Sequence, residues 1–248
     1  MNPMLTVDDL RVSFPTRTGL IEAVRGVSFT LGRERLGIVG ESGSGKSQTG
    51  RAIMGLTPAH ARISASKLNF DGTDLLTAPA KVRRSLRGSR IAMILQDPKY
   101  SLNPVMSIGR QIVETLRTHE NVGKREARDR AIAMLEAVQI RDAGRVFDLH
   151  PHEVSGGMGQ RAMIAMMLIA GPELLIADEP TSALDVTVQL DVLRILDKLV
   201  AERGMGLIFI SHDLRLVSSF SDRVIVMYAG RGCRSVPSVG MQLSRPCV

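Results

Sequence analysis

Residues 35–47 read RLGIVGESGSGKS. A short apolar run enters a glycine-rich loop that ends in Lys46 and Ser47. Gly40, Glu41, Ser42, Gly43, Ser44, Gly45, Lys46 and Ser47 fit the spacing G-x-x-x-x-G-K-[ST]. Successive backbone N–H groups can point at phosphate oxygens only where no Cβ stands in the way, which is why such a loop needs glycine. Lys46 is placed to reach β- and γ-phosphates, and Ser47 to ligate Mg²⁺. The helix expected from about Lys46 to Leu56 adds its positive N-terminal dipole. A strand, a phosphate loop and a helix in this order predict an α/β fold with a mainly parallel sheet.

The chain on either side agrees. LTVDDLRVSF (5–14) alternates apolar and polar residues and predicts a strand ending near Phe14, and AVRGVSFTL (23–31) predicts a second. These leading strands are expected to form an antiparallel side sheet. SKLNFDG (66–72) reads as strand and turn, and RIAMILQD (90–97) as a buried strand. Beyond Pro98 the character becomes helical, with helices expected near 107–118 and 124–138. The second of these, KREARDRAIAMLEAV, is clearly amphipathic. A helix after SGGMGQR, the strand ELLIAD, a helix near 186–203, the strand GLIFIS, a short helix and the strand RVIVMY complete the alternation. The expectation is one domain over 4–230, with a helical subdomain inserted at about 97–157 and an atypical tail at 231–248.

The bulk numbers limit the classes. The 248 residues, 44% of them hydrophobic, suffice for one large α/β domain. With six Phe, two Tyr and no Trp, the core must rest on aliphatic residues and Met. MNPMLTVDDL lacks the pattern of a signal peptide. The longest apolar run, AMIAMMLIA at 162–170, is far short of the roughly 20 residues that span a bilayer. The two cysteines, Cys233 and Cys247, lie in the tail, so no disulfide framework or zinc cluster is expected in the body of the chain. A formal charge of +7 suits an anionic ligand or surface. The densest basic stretch is KVRRSLRGSR (81–90). It carries little interleaved aromatic character, so it reads as a solvated face rather than a nucleic-acid site.

Four further places carry chemistry. ELLIADEP (173–180) is an apolar strand ending in two carboxylates. Strand alternation would put Asp178 and Glu179 on different faces. Asp178 is then the metal-side acid, and Glu179 the general base that polarises the attacking water. Gln96 follows the strand IAMIL, where its amide could touch Mg²⁺ or the water, although alone it would be unremarkable. His212 ends the strand GLIFIS, well placed for ligand contact beside the switch point of a parallel sheet. A satisfied core histidine is the plainer reading of that residue by itself. HEVSGGMGQR (152–161) runs from a Ser-Gly-Gly turn into a helix, the layout of a second anion site at a helix N-terminus. His150 and His152 stand two apart, with no Cys or further His nearby to complete a metal site.

Taken in order, GESGSGKS, ILQDP, VSGGMGQR, LLIADEP, SALD and ISHD resemble the nucleotide-binding subunit of an ATP-binding cassette (ABC) transporter. The resemblance covers about residues 4–230. It implies a P-loop NTPase fold, a RecA-like parallel core with an antiparallel side sheet and an inserted helical subdomain. It assigns Ser155, Gly156 and Gly157 to the family signature, Gln96 to the Q-loop, Asp185 to the D-loop and His212 to the switch histidine. Phe14 becomes the adenine-stacking aromatic. Two such subunits close head to tail over two ATP molecules, the signature of each covering the γ-phosphate held by the other. That accounts for two phosphate-facing turns about a hundred residues apart.

LRGSRIAMILQDP, SLNPV, HPHEVSGGM and DEPTSALDVTVQ narrow the resemblance to the dipeptide, oligopeptide and nickel importers, nearest the peptide importers. This implies ATP and Mg²⁺ as cofactors and a second ATPase subunit, identical or different, as partner. It further implies two membrane permeases, a periplasmic solute-binding protein and a peripheral place on the cytoplasmic face of the bacterial inner membrane. A nickel or other small-solute importer is the next reading. A soluble ABC ATPase acting on nucleic acid or the ribosome, and a degenerate subunit, come after it. The sequence departs from the family at Val154, where Leu is usual, at Gly159, where a basic residue is common, and at Tyr100, where a small residue is usual. The tail GCRSVPSVGMQLSRPCV lacks the expected acidic strand and reads as truncated or frame-shifted.

Overall fold

The computed structural model describes residues 3–96, 101–182, 184–232 and 236–237. In chain order its elements are β1 (Leu5–Thr16), β2 (Gly19–Leu31), β3 (Arg35–Gly40), α1 (Lys46–Met54), β4 (Arg62–Ser64), β5 (Lys67–Phe70), β6 (Thr73–Asp74), α2 (Ala80–Leu86) and β7 (Ile91–Ile94). They continue with α3 (Ile108–His119), α4 (Lys124–Ala137), α5 (Ala143–Asp148), a 3₁₀ turn (Pro151–Glu153), α6 (Gly156–Leu168), β8 (Leu174–Asp178), α7 (Val186–Arg203), β9 (Gly206–Ser211), α8 (Leu214–Phe220), β10 (Arg223–Tyr228), β11 (Arg231–Gly232) and β12 (Val236–Pro237). Two compact units result, Met1–Arg84 with Gly206–Val248, and Ser85–Met205.

In the first unit β1 pairs antiparallel with β2, β4 and β5, and β5 with β6. This is the expected side sheet. The buried residues of β1 are Leu5, Val7, Leu10 and Val12, so the alternation skips one place. The skip is a bulge at Asp9, whose φ is 48° and where the register with β2 shifts. One inserted residue restores the parity, and the same face stays apolar. Parallel strands β10, β3 and β9 form the other layer, with Ile38 opposite both Ile225 and Ile210. All three isoleucines are at most 1% exposed. Fully burying such a side chain stabilises by about 1.5–3 kcal/mol. Helix α8 lies on β3 where Gly37 leaves room, since a Cβ there would stand 2.2 Å from Val217 Cγ1.

In the second unit β7 and β8 pair in parallel from Ile91↔Leu174 to Ile94↔Ala177. Helices α3, α4 and α5 pack on one another, and α6 touches α3, α4, α7 and β7. The helical core is Ile108, Ile112, Leu116, Ala127, Ala131 and Leu135, each fully buried. The compact unit is therefore wider than the expected insertion at 97–157, because α6 ties the helical trio to β7 and α7. The start of that insertion, 97–100, falls outside the described residues, as does Tyr100.

Helices α2 and α5 were not expected. Each has at most seven residues, too few for a two-turn periodicity to show. Helix α1 stops two residues before Leu56, because Gly55 caps it with φ 61°. The tail begins regularly, with β11 and β12 both antiparallel to β10. Cys233, Cys247 and the rest of 238–248 lie outside the described residues.

Glycines 109 and 159 make opposite predictions. A Cβ on Gly109 would stand 2.1 Å from the Phe147 ring, so Gly109→Ala should destabilise by about 1–3 kcal/mol. Gly159 lies inside α6 with nothing within 4 Å of its Cβ position, so Gly159→Ala should stabilise by up to about 1 kcal/mol. Thermal melting of the two variants, with Tm moving in opposite directions, checks both.

Candidate functional site

The phosphate loop lies in the first unit. Strand β3 ends at Gly40, and α1 starts at Lys46 behind Gly45, whose φ is 98°. A Cβ on Gly40 would stand 2.1 Å from the carbonyl oxygen of Met227, and one on Gly45 2.3 Å from that of Ala23. Glycine is thus demanded at both ends of the loop by backbone on either side. Gly43, at φ 79°, needs glycine only for its conformation, since nothing lies within 4 Å of its Cβ position.

Lys46 is 5% exposed and donates from Nζ to the carbonyl oxygens of Gly40 and Glu41, both at 2.8 Å. The ammonium is folded back over the loop. The Ser44 N–H donates to the Glu41 carbonyl at 3.1 Å, and the Ser44 carbonyl accepts from Gly230 N–H at 3.2 Å. The Ser44 hydroxyl is buried without a hydrogen-bond partner. A loop bounded by two obligatory glycines, a buried ammonium and a spare hydroxyl make a donor set that fits a polyphosphate. Ser47 stands half-buried in the first turn of α1.

Phe14 is half-buried on β1 opposite Ile21, its ring 6.0 Å from that of His60 and edge-on to it. His212 directly follows β9 and is exposed. The next residue, Asp213, caps α8 by accepting from the N–H groups of Arg215 and Leu216 at 2.9 and 3.2 Å.

The carboxylates lie in the second unit. Asp178 is the last residue of β8 and 2% exposed. Strand alternation does not extend to Glu179. It stands past the end of β8 with φ 47°, a left-handed conformation that costs a non-glycine residue roughly 1–2 kcal/mol. The backbone turn aims its side chain. Ser182 holds that turn, donating from N–H and Oγ to the Glu179 carbonyl at 3.3 and 3.2 Å. Gln96 donates from Nε2 to Glu179 Oε2 at 3.2 Å. The structure so brings Gln96 onto the carboxylate of Glu179, a contact the sequence did not suggest.

Ser155 is the N-cap of α6, its hydroxyl accepting from Met158 N–H at 3.3 Å. Gly156 and Gly157 are the first residues of the helix itself rather than of a turn before it. Asp185 is the N-cap of α7, accepting from Val188 N–H at 3.1 Å. The first turns of α6 and α7 touch, since a Cβ on Gly157 would stand 2.7 Å from Val188 Cγ1. Gln160, one turn further along α6 and 1% exposed, donates from Nε2 to the Pro180 carbonyl. The sequence reading passed over Gln160. Its only signal there was an amide on the same helix face as the signature glycines. His150 lies beside Glu153, its ring Nδ1 3.2 Å from Glu153 Oε2. Its N–H donates to Glu153 Oε2 at 2.7 Å in a local cap. Among the described residues no group of three His, Cys, Asp or Glu could hold a metal ion.

The sequence pattern of the ABC transporter family matches residues 24–182. This chain is a member of that family. The ABC chain is 49% identical over 231 residues to the oligopeptide transport ATP-binding protein OppD of Salmonella typhimurium, covering 93% of this chain and 69% of that one. It is 50% identical over 229 residues to OppD of Escherichia coli, with 92% and 68% covered. The dipeptide transport ATP-binding protein DppD of Haemophilus influenzae is 48% identical over 229 residues, with 92% and 69% covered. The fold is that of the ATP-binding cassette MJ0796, whose dimeric post-hydrolysis structure bound to ADP and Pi superposes with a TM-score of 0.85 at 24% identity. That likeness covers 96% of this chain and all of the other. The chain is an ABC ATPase cassette.

Gly40→Ala and Gly43→Ala separate crowding from conformation. The first should lower nucleotide affinity about 10-fold or more, because the Met227 carbonyl cannot move without β10. The second should cost only the left-handed backbone, about 1–2 kcal/mol of stability. Titration with a fluorescent ATP analogue, alongside melting, checks the contrast.

Proposed function

We propose that this chain is the ATP-hydrolysing, energy-coupling subunit of an importer for di- or oligopeptides. The observation that carries the proposal is identity of 48–50% over more than nine-tenths of the chain to proteins named for oligopeptide and dipeptide transport. Two ATPase subunits, this one with a copy of itself or with a different cassette, close head to tail over two ATP molecules. Two permeases and a periplasmic solute-binding protein complete the machine. No described helix is long and apolar enough to cross a membrane. The proposal gives the crossing to the permeases and places this subunit on the cytoplasmic face of the inner membrane.

In this reading the loop from Gly40 to Ser47 binds the phosphates of ATP, and Phe14 stacks on adenine. Lys46 leaves the carbonyls of Gly40 and Glu41 for phosphate oxygens, a like-for-like exchange of acceptors. Ser47, Asp178 and Gln96 would hold Mg²⁺. When bound, the ion neutralises charge that develops on the phosphate oxygens. Glu179 accepts a proton from the attacking water, and His212 contacts the γ-phosphate. The Ser155 hydroxyl, Gly156 and Gly157 serve the partner's ATP from the N-terminus of α6, where the helix dipole favours an anion. Asp185 stands at the corresponding end of α7. ATP favours the closed dimer only by its stronger binding to that state, so hydrolysis releases the closure.

Replacing the proposed base tests both halves of this reading. Glu179→Gln should lower turnover about 100-fold or more while ATP still binds. The variant should form a dimer on adding ATP, alone or with the neighbouring cassette subunit, as read by sedimentation. ATP binding without a dimer in either case would overturn the coupling role.

A further inference from the structure

The first two turns of α6 meet the segment that runs from the catalytic carboxylates to α7. Gly156 faces Leu184, whose Cδ2 is 3.9 Å from the glycine's Cβ position, and Gly157 faces Val188. Gln160 follows Gly156 by four residues and Gly157 by three, so it shares their helix face. Gly157 lets the segment approach, and the long amide then reaches its backbone. Gln160 is almost completely buried and donates from Nε2 to the carbonyl of Pro180, which is itself buried.

Pro180 is the residue after Glu179. Burying an amide is costly unless it is hydrogen-bonded, so a buried Gln bonded to backbone fixes that backbone firmly. Two successive carbonyls of the acid turn are thus held from different sides. Ser182 holds that of Glu179 from within the turn, and Gln160 holds that of Pro180 from the signature helix. The turn contains the left-handed φ of Glu179, a conformation that persists only where its surroundings fix it. Asp178 is still part of β8, and Glu179 stands past its end.

We propose that Gln160 is a positioning residue for hydrolysis: its amide holds the Pro180 carbonyl and so sets the direction in which Glu179 presents its carboxylate to water. The inference rests on Glu179 acting as the general base. It adds that the helix carrying the signature and the turn carrying the base of the same subunit are joined by one buried hydrogen bond. A shift of α6 at its N-terminus then reaches Glu179 through Gln160, without passing through nucleotide.

Gln160→Met tests it in the full chain. Met keeps the length and nearly the volume but removes the donor, so the core stays filled. Turnover should fall about 10-fold or more, because misplacing a reacting group by an ångström can cost that much or more. KM for ATP should be unchanged, and Gln160→Met in the Glu179→Gln background should still dimerise with ATP. Amide hydrogen exchange at Ser182 and Leu184 should speed up while that at Leu175 and Ile176 in β8 stays as it was. Unchanged turnover with unchanged exchange would overturn the proposal. So would a loss of turnover matched by equal losses of ATP affinity and dimerisation, since that is general loosening. If Glu179→Gln keeps full turnover, the general-base reading fails instead, and the exchange rates still decide whether Gln160 holds the turn.

Discussion

Where β3 becomes the phosphate loop, the backbone passes so close to the Met227 carbonyl that no side chain fits between them. That approach follows from the parallel pairing of β3 with β10, in which Gly40 stands opposite Met227. At the far end of the loop the Ala23 carbonyl of β2 crowds Gly45 in the same way. The side sheet and the parallel layer thus close on the loop from two directions. Gly230, just past β10, donates to its middle at Ser44. The loop's shape is therefore a property of three strands as much as of its own glycines. Its buried Lys46 completes it, satisfied by carbonyls that phosphate oxygens can replace.

The second unit solves a related problem with different means. Asp178 is buried as the last residue of β8. Glu179, the proposed base, stands just past the strand in a backbone conformation that its residue type disfavours. Here Glu179 turns out at φ 47° and is fixed by Ser182, by Gln96 on its carboxylate and by Gln160 through Pro180. The signature glycines give the room in which this happens. Gly156 is exposed and Gly157 half-buried, and a Cβ on Gly157 would collide with Val188. Ser155 and Asp185 each cap their own helix, so the groups proposed to face nucleotide are held in place by backbone N–H groups.

Periodicity and punctuation made most elements legible. The strands at 35–40, 206–211 and 223–228 and the helix at 186–203 stand where their apolar patterns put them. The bulge at Asp9 was hidden in LTVDDLRVSF, because a skipped alternation looks like noise until the partner strand shows its register. The short helices α2 and α5 were hidden because one or two turns carry no period. In the site, the phosphate loop was plain from spacing alone. Strand alternation does not apply to Asp178 and Glu179, since Glu179 lies past the end of β8. Gln160 gave only a weak signal, because an amide in an apolar helix reads as polar and solvent-facing until its partner is known.

By itself the sequence determined the chemistry available. It set which backbone could cradle phosphate, which acids stood at a strand end and which glycines opened a helix, because these depend on residues close together along the chain. The tertiary structure alone decided which of those groups bear on one another. The collision of Gly40 with Met227, the grip of Gln96 on Glu179 and the reach of Gln160 to Pro180 span 187, 83 and 20 residues. Contacts of that kind leave no local period or spacing in a sequence. They exist only once strands have paired and helices have packed, when backbone, volume and hydrogen-bond demand must be satisfied together.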